Sequence, residues 1–476
     1  MGYGTKALKT RSCEDYWLKL KEQRAAILAQ EIVIEEEVSF VEHRMKAVQS
    51  VKRAADTMDD GEINNEVEYQ GEKTSKKLCK KKGDEIDAFF GDDTEAGPSG
   101  HLSQTLLQGR IGRVLDSNRT EEFKTKFENM DKENKWELST GRYVEDIMYE
   151  AGVGLACENL IHSFILNVRD PYIMGVFTEE EAAELLEHNL KKPIPLSDDT
   201  MGVLKSFNCC STQELRSVLE TLAPRRGSKY NAQKDYEADT IAYGIESLVK
   251  LYEMRPQVFN CDHNELWYDI HLWGALVDKA FGDLVDFSVI RGESSSVASA
   301  ERREKQRQTY RAQNRTRKSQ GHKGDMIIRR NSQGRKLELG ASEVGRTFYM
   351  EGTKWHHEGN LKLPKMLADM FYQLCDHCRW EHDVMRELEV VGYLHGGCCL
   401  TTMSLDNPGG YILRLKKSGL AEVSADMGDF VKTLELMTDV WLLKKRAERA
   451  ISVLTKKRPI KFSNRGIDAK QEMFYM

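Results

Sequence analysis

The order of helical and strand patterns from about residue 263 onward constrains the fold of this chain more than any other feature. The segment NELWYDIHLWGALVDKAF has helical spacing, with Leu266, Ile270 and Trp273 on one side. Strand patterns follow, then a helix from about Pro364 to Val390, a β-hairpin and a long closing helix, DFVKTLELMTDVWLLKKRAERAISVL. This order predicts an α/β (α+β) core in which a small mixed sheet is flanked by helices.

The rest of the chain of 476 residues divides by composition. Residues 1–57 are predicted to be a helical segment, and residues 58–103, which lose periodicity and carry charge runs, a flexible linker. Residues 104–255 are predicted to be a mostly helical domain. The core takes residues 256–455, with a basic insertion at 301–320, and residues 456–476 are a basic tail.

The overall charge and hydropathy exclude several classes of protein. The net charge is −6, so any binding to nucleic acid must come from local basic patches. No apolar run is long enough to span a membrane, and the N-terminus lacks the apolar core of a signal peptide. The 10 cysteines are therefore expected to be reduced thiols in an intracellular protein.

Two acidic residues lie in a predicted hairpin, GHKGDMIIRRNSQGRKLELGASEVGR, which runs from Gly321 to Arg346. Asp325 opens the first strand and Glu343 lies near the end of the second. Carboxylates on neighbouring strands can converge on one point and hold Mg²⁺ or Mn²⁺ together with phosphate oxygens. A metal so held can activate water for phosphodiester cleavage, and a nearby lysine can orient that water.

These residues resemble the PD-(D/E)XK nuclease superfamily. The segments GDMIIRR, LELGASEVGR, LKLPKMLADM and VVGYLHGGCCLTTMSLDNPGGYILRL also resemble a group of fungal proteins that carry this nuclease-like core. The resemblance covers about residues 263–455 and implies a restriction-endonuclease-like fold. It implies that Glu265 matches the acid of the first core helix, Asp325 the metal-binding aspartate and Glu343 the acid of the E-x-K element.

The third position of the motif departs from the superfamily pattern. A lysine is expected two residues after Glu343, and this chain has Gly345 there. Some members of the superfamily move the lysine to the following helix. Lys362 and Lys365 lie at the start of that helix, one turn apart on a shared face, and both are candidates, with Lys362 preferred.

The basic insertion suggests contacts with phosphates. Between Arg302 and Lys318 there are eight lysines or arginines against one acid, Glu304. The segment is predicted to be a loop or frayed helix that projects beside the site, and salt-sensitive binding of nucleic acid is one interpretation of it. A solvated, disordered insertion is the other. The predicted nucleic-acid-binding residues are Arg302, Arg303, Lys305, Arg307, Arg311, Arg315, Arg317 and Lys318.

Other patterns leave alternatives open. The basic clusters near Lys76–Lys82, Lys444–Arg446 and Lys456–Arg458 are interpreted either as nuclear import signals or as solvated charge. The N-terminal helical segment could bind a protein partner. Cys375, Cys378 and nearby histidines lie in a predicted helix, which disfavours zinc, and no P-loop or dinucleotide-binding spacing predicts a nucleotide cofactor.

The predicted function is therefore metal-dependent cleavage of phosphodiester bonds in DNA or RNA. Two alternatives remain. One is a catalytically degenerate nuclease fold that binds nucleic acid or assembles proteins. The other is a helical scaffold in which the hairpin acids are ordinary surface charges.

Overall fold

A computed structural model describes residues 115, 117–155, 157–254, 256–261, 263–309, 319–330, 334–345 and 358–456. They belong to one unit, Ile111–Met476. The predicted N-terminal helical segment and linker, the basic cluster near Lys76, and the tail after residue 456 lie outside the described residues. So do four of the predicted nucleic-acid-binding residues, Arg311, Arg315, Arg317 and Lys318.

The described residues form a mixed α/β structure built on one sheet. Its eight strands are β1 Ile165–Asn167, β2 Phe287–Ser295, β3 Lys323–Arg330, β4 Glu338–Gly345, β5 Glu389–Gly396, β6 Cys399–Gly409, β7 Ile412–Lys417 and β8 Ala421–Glu422. The strand order is β1-β7-β6-β5-β4-β3-β2, and β8 pairs with β6. The pairs β1·β7 and β4·β5 are parallel and the others are antiparallel. The predicted mixed α/β class is confirmed, but the sheet is larger than the small one expected.

Helices surround this sheet. Before the core they are α1 Ser117–Glu128, α2 Val144–Val153, α3 Pro171–Met174, α4 Glu179–Glu187, α5 Asp198–Ser206, α6 Thr212–Arg226 and α7 Ala232–Met254. Within the core they are α8 Glu265–Tyr268, α9 Gly274–Leu276, α10 Val297–Thr309, α11 Leu363–His377, α12 His382–Glu387 and α13 Phe430–Thr455. None of the described helices is both long enough and apolar enough to cross a membrane.

Local sequence explains how several helices begin. Thr178 and Glu181 form a capping box at the start of α4, because each side chain bonds the backbone N–H of the other. Ser197 is the N-cap residue of α5, as Thr178 is of α4. Asn264 accepts from the N–H of Trp267 at the start of α8. The closing helix α13 buries residues at helical spacing, including Trp441, as its apolar periodicity predicts.

The first core helix differs from its predicted face. Leu266 and Ile270 are each 63% exposed, whereas Leu272 and Trp273 are buried. A π-helical turn at Asp269–Trp273 separates α8 from α9. An extra residue in a helical turn rotates the following side chains, so the regular spacing read from the sequence does not hold across it.

The described part of the basic insertion, up to Thr309, is a regular helix rather than the loop or frayed helix that we expected. This helix is α10, which packs against α11. Ser296 Oγ accepts from the N–H of Ser299 (3.1 Å), and Glu338 of β4 accepts from the N–H groups of Val297 (2.9 Å) and Ala298 (3.1 Å). Negative charge at a helix N-terminus is stabilising, so the sheet itself fixes where this helix begins.

Two further element boundaries differ from the prediction. The helix predicted to run to Val390 ends at His377, and after α12 the chain enters β5 at Glu389. The segment VVGYLHGGCCLTTMSL, which we take as the first strand of the predicted β-hairpin, contains parts of both β5 and β6. Gly397 lies in the turn between these strands with a positive φ of 58°, a conformation that glycine adopts without strain.

The mostly helical region before residue 255 contributes a strand to the sheet. Its strand β1 pairs in parallel with β7, with Ile165 opposite Leu413. The fully buried Arg414 of β7 donates to Asp406 of β6 (3.1 and 2.8 Å) and to the carbonyls of Leu185 (3.0 Å) and His188 (2.9 Å). These carbonyls lie at the C-terminal end of α4, so Arg414 joins a helix of the region before residue 255 to the sheet.

Candidate functional site

The two predicted acids lie on adjoining strands at one end of the sheet. The antiparallel register of β3 and β4 pairs Met326 with Ser342, and continuing it by one residue places Asp325 opposite Glu343. Residues directly opposite each other project from the same face of a sheet. Asp325 Oδ2 accepts from the backbone N–H of Val344 (2.7 Å), which holds its carboxylate against the strand that carries Glu343.

Lys362 supplies a cation at the buried acid. Glu343 is 1% exposed, and its Oε2 accepts from Lys362 Nζ (2.7 Å). Lys362 ends the π-helical turn Glu358–Lys362, immediately before α11. Gly345 lies two residues after Glu343 on the same strand and has no side chain. Lys362, which lies at the start of the next helix, therefore contacts Glu343. A lysine at position 345, where the PD-(D/E)XK pattern expects one, would belong to the same motif as this acid.

Lys365 has a different partner. It forms an ion pair with Glu158, which also accepts from Arg119 of α1. Burial lowers the pKa of Lys365, and the charges of Arg119 and Arg302 lower it further, against the opposing effect of Glu158. Of the two candidate lysines, Lys362 is the one paired with Glu343.

A second helix acid, Asp269, lies one turn after the predicted Glu265. Glu265 is half-buried in the first turn of α8. Four residues later, Asp269 has its pKa raised to about 6, first by burial and also by the negative charges of Asp278 and Asp325. Glu265 and Asp269 have the spacing of a shared helix face, so the sequence allowed either, but we predicted only Glu265.

Sequence reasoning also missed Arg291, the cation beside these acids. Its guanidinium donates to Asp269 Oδ1 (2.5 Å) and, with two nitrogens, to Asp278 (2.6 and 2.8 Å). Arg291 lies on β2, where the sequence FSVIRGESS places a charge after an apolar run. That charge was the feature of the sequence from which Arg291 could have been proposed as a site residue. Because Arg291 holds Asp269 and Asp278, it fixes the helix acids beside the sheet acids.

The predicted nucleic-acid-binding residues that the structure describes have partners within the protein. Arg302 Nε donates to Asp369 Oδ1 (2.6 Å), and Arg303 donates to the carbonyl of Gln320 (2.6 Å). Lys305 lies 3.5 Å from Asp376, and Arg307 lies 3.5 Å from Glu304. Arg302 and Lys305 thus face α11, whereas Arg303 bonds the segment that leads into β3.

The donor groups near the two sheet acids bear on which kind of metal site is possible. Across the described residues, no group of three or more histidine, cysteine, aspartate or glutamate side chains could hold a metal ion. Mg²⁺, however, is commonly bound by one or two carboxylates together with substrate phosphates. Asp325 and Glu343 supply the two carboxylates that this second arrangement uses, and they do not form a cage made of protein ligands alone.

Comparison of the chain with family models, with curated proteins and with solved structures finds no match.

Proposed function

We propose that the protein is a metal-dependent nuclease with a restriction-endonuclease-like, PD-(D/E)XK-type core, which cleaves phosphodiester bonds of DNA or RNA. The observation that carries the proposal is the 2.7 Å contact between Lys362 Nζ and the buried Glu343, on the strand next to Asp325. An acid pair with a lysine beside it is the set of groups that this reaction needs.

Each residue has a role in this proposal. Asp325 and Glu343 would hold Mg²⁺ or Mn²⁺. The bound metal supplies charge stabilisation for the phosphate and acidifies a water. Lys362 has three N–H donors, of which one binds Glu343, so the others can orient the attacking water or a phosphate oxygen. Arg291 keeps Asp269 and Asp278 in place beside the sheet.

A second candidate function is nucleic-acid binding without cleavage. The observation that favours it is the same ion pair, because the ammonium of Lys362 lies on one of the two carboxylate oxygens through which Glu343 would bind a metal. In that case the lysine replaces the metal and the fold is a binding or assembly module.

Cleavage assays separate the two functions. The wild-type protein is mixed with labelled single-stranded DNA, duplex DNA and RNA, in Mg²⁺ and in EDTA. We expect cleavage in Mg²⁺ only, and a rate at least about 100-fold lower for Asp325→Asn and Glu343→Gln. Glu237→Gln is the matched control, because Glu237 is also paired with a lysine at 2.7 Å, that of Lys445.

Two results would count against the nuclease. If Asp325→Asn cleaves as fast as the wild type, the assigned site is wrong. If the wild type binds nucleic acid in a salt-sensitive way but cleaves none of the three substrates, the binding module is the better description.

A further inference from the structure

Cations from three separate helices converge on one side of α11, next to Lys362. Arg119 of α1 and Lys365 of α11 share Glu158. One turn after Lys365, Asp369 accepts from Arg302 of α10 (2.6 Å). Because residues 365 and 369 have the spacing of one helix face, these contacts form a continuous row that begins at Lys362.

This row of charge is accessible to solvent. The side chains of Arg119, Arg302, Lys362 and Lys365 keep 33%, 26%, 26% and 25% of their surface exposed, respectively. Each can therefore pair with a protein carboxylate and still meet a phosphate from outside.

The row and the groups that its cations face contain more cations than acids. Apart from Lys362, its cations are Arg119, Lys126, Arg302, Arg303 and Lys365, and the carboxylates that face them are Glu122, Glu158 and Asp369. Five cations thus meet three acids, although the whole chain has a net charge of −6.

Burial is the first cause of the lowered pKa values of two groups at the row, and the neighbouring cations add to it. The pKa of Lys126 is lowered to about 8 by burial and by Arg302 and Lys365, against the effects of Glu122 and Asp369. The pKa of His322 is lowered to about 4 by burial and by Arg303, Arg302 and Lys362, against Asp369. Like charges held together in this way destabilise the free protein, and a bound polyanion relieves their repulsion.

We infer that α1, α10 and the first turns of α11 form a binding surface for the phosphate backbone of a nucleic acid strand, which leads to Lys362. We call it the α1–α11 surface, defined by Arg119, Lys126, Arg302, Arg303 and Lys365. The inference rests on the proposed function for the identity of the polyanion. It adds that α1, which lies outside the nuclease-like core, takes part in holding the substrate.

The salt dependence of binding tests this surface. The affinity of the full-length protein for labelled single-stranded DNA, RNA of the same sequence and duplex DNA is measured in EDTA, between about 50 and about 200 mM salt. Each phosphate contact lowers the slope of log K against log salt by about 0.7 for single strands and about 0.9 for duplex DNA. Lys126→Gln should therefore reduce the steepness of that slope by about this amount, for each polymer that binds.

Lys124→Gln is the matched control. Lys124 is on the same helix, is exposed and lies 3.8 Å from Glu128, so its loss removes the same charge from a different position on α1. Its slope should equal that of the wild type. Arg303→Gln provides a second variant, because the Arg303 guanidinium bonds a carbonyl and His322 rather than an acid. It should also reduce the slope.

The outcomes separate this inference from the proposed cleavage. The surface is wrong if Lys126→Gln and Arg303→Gln keep the wild-type slope, even if Mg²⁺-dependent cleavage is found. It is also wrong if the wild type binds none of the polymers. A reduced slope for both variants with an unchanged Lys124→Gln supports the surface, even if no substrate is cleaved.

Discussion

Lys362 and Lys365 are one helical turn apart, yet they bind different acids. Lys362 pairs with Glu343 of the sheet and Lys365 with Glu158, which lies between α2 and β1. Helical spacing predicts that both lysines share a face, and it left both open as the substitute for the lysine that Gly345 lacks. The positions of their partners decide between them, and those positions depend on contacts between segments that are distant in the chain.

Asp269 should make stability depend on pH. Its pKa in the folded protein is raised from 3.8 to about 6, first by burial, with Asp278 and Asp325 adding to the effect and Arg291 opposing it. The folded state therefore holds the proton more tightly than the unfolded state, and stability falls as pH rises from about 4 to about 6. Asp269→Asn removes this cost, which is up to about 3 kcal/mol before solvent screening.

Urea unfolding at pH 4 and pH 7.5 measures this effect. The free energy of unfolding of Asp269→Asn, relative to that of the wild type, should be larger at pH 7.5 than at pH 4. Asp286→Asn, whose side chain is 51% exposed, controls for the loss of a carboxylate. An equal stability difference at the two pH values for Asp269→Asn would show that its proton is not held in this way.

The sequence predicted Asp325 and Glu343 on neighbouring strands and offered Lys362 as their lysine, whereas we did not predict Asp269 and Arg291 from it. Asp325 and Glu343 stand out because each is a charge within a strand pattern. Asp269 and Arg291 are ordinary charges in the sequence, and only the pairing of β2 with β3 and the position of the helix acids bring them beside the site.

At the scale of elements, α10 shows how tertiary contacts form a helix that composition disfavours. Its sequence is so rich in charge that we expected a loop or frayed helix. In the structure, Glu338 accepts from Ser296 Oγ (2.6 Å), from the first N–H groups of the helix and from the guanidinium of Arg329 (2.9 and 2.7 Å). Buried hydrogen-bond acceptors such as the Glu338 carboxylate thus stabilise a helix whose own sequence has only a weak preference for helical structure.

Glu338→Ala should therefore be strongly destabilising. The change leaves the buried Arg329 without its carboxylate and the start of α10 without an acceptor. Removing one partner of a buried ion pair costs about 3–5 kcal/mol. We expect a loss of this size in the free energy of unfolding, measured by urea denaturation.

The same helix offers a control. Glu304 is a half-exposed acid of α10 that lies 3.5 Å from Arg307, and Glu304→Ala should cost less than about 1 kcal/mol. If Glu338→Ala costs no more than Glu304→Ala, then β4 does not stabilise the start of α10 in the way that we describe.

The strands differ in how far their sequence predicts them. The apolar run that crosses from β5 to β6 concealed a turn at Gly397, because almost every residue on both strands is buried and apolar or small residues fill the turn. The glycine pair Gly396–Gly397 was the signal for that turn. In contrast, α13 has clear apolar periodicity, and its predicted extent agrees with the structure.

At the scale of the whole molecule, the helical region and the sheet share both backbone and side-chain contacts. The strand β1 extends the sheet beyond β7, and Arg414 bonds the end of α4. A three-residue strand inside a helical region has no pattern of its own in the sequence. The C-terminal patterns predicted a mixed sheet, and the longer sheet depends on pairing between residues about 250 positions apart, such as Ile165 and Leu413.

This arrangement also affects how the basic cluster Lys444–Arg446 is interpreted. Lys444 is fully buried and donates to Asp283 (2.6 Å), Lys445 pairs with Glu237, and Arg446 donates to Glu389 (3.1 Å). These side chains hold α13 to the rest of the protein. A nuclear import signal at this cluster stays a prediction, and it would require these contacts to open.

The central claim is that Lys362, paired with Glu343 beside Asp325, serves a nuclease site. The most direct test is the single-turnover rate of cleavage in Mg²⁺ for the wild type, Lys362→Gln and Lys445→Gln, with saturating protein. Lys445 is the matched control, because it also lies 2.7 Å from a glutamate, Glu237, but on α13 rather than before α11. We expect Lys362→Gln to be at least about 100-fold slower and Lys445→Gln to keep the wild-type rate. A Lys362→Gln protein that remains folded and cleaves at the wild-type rate would contradict the claim.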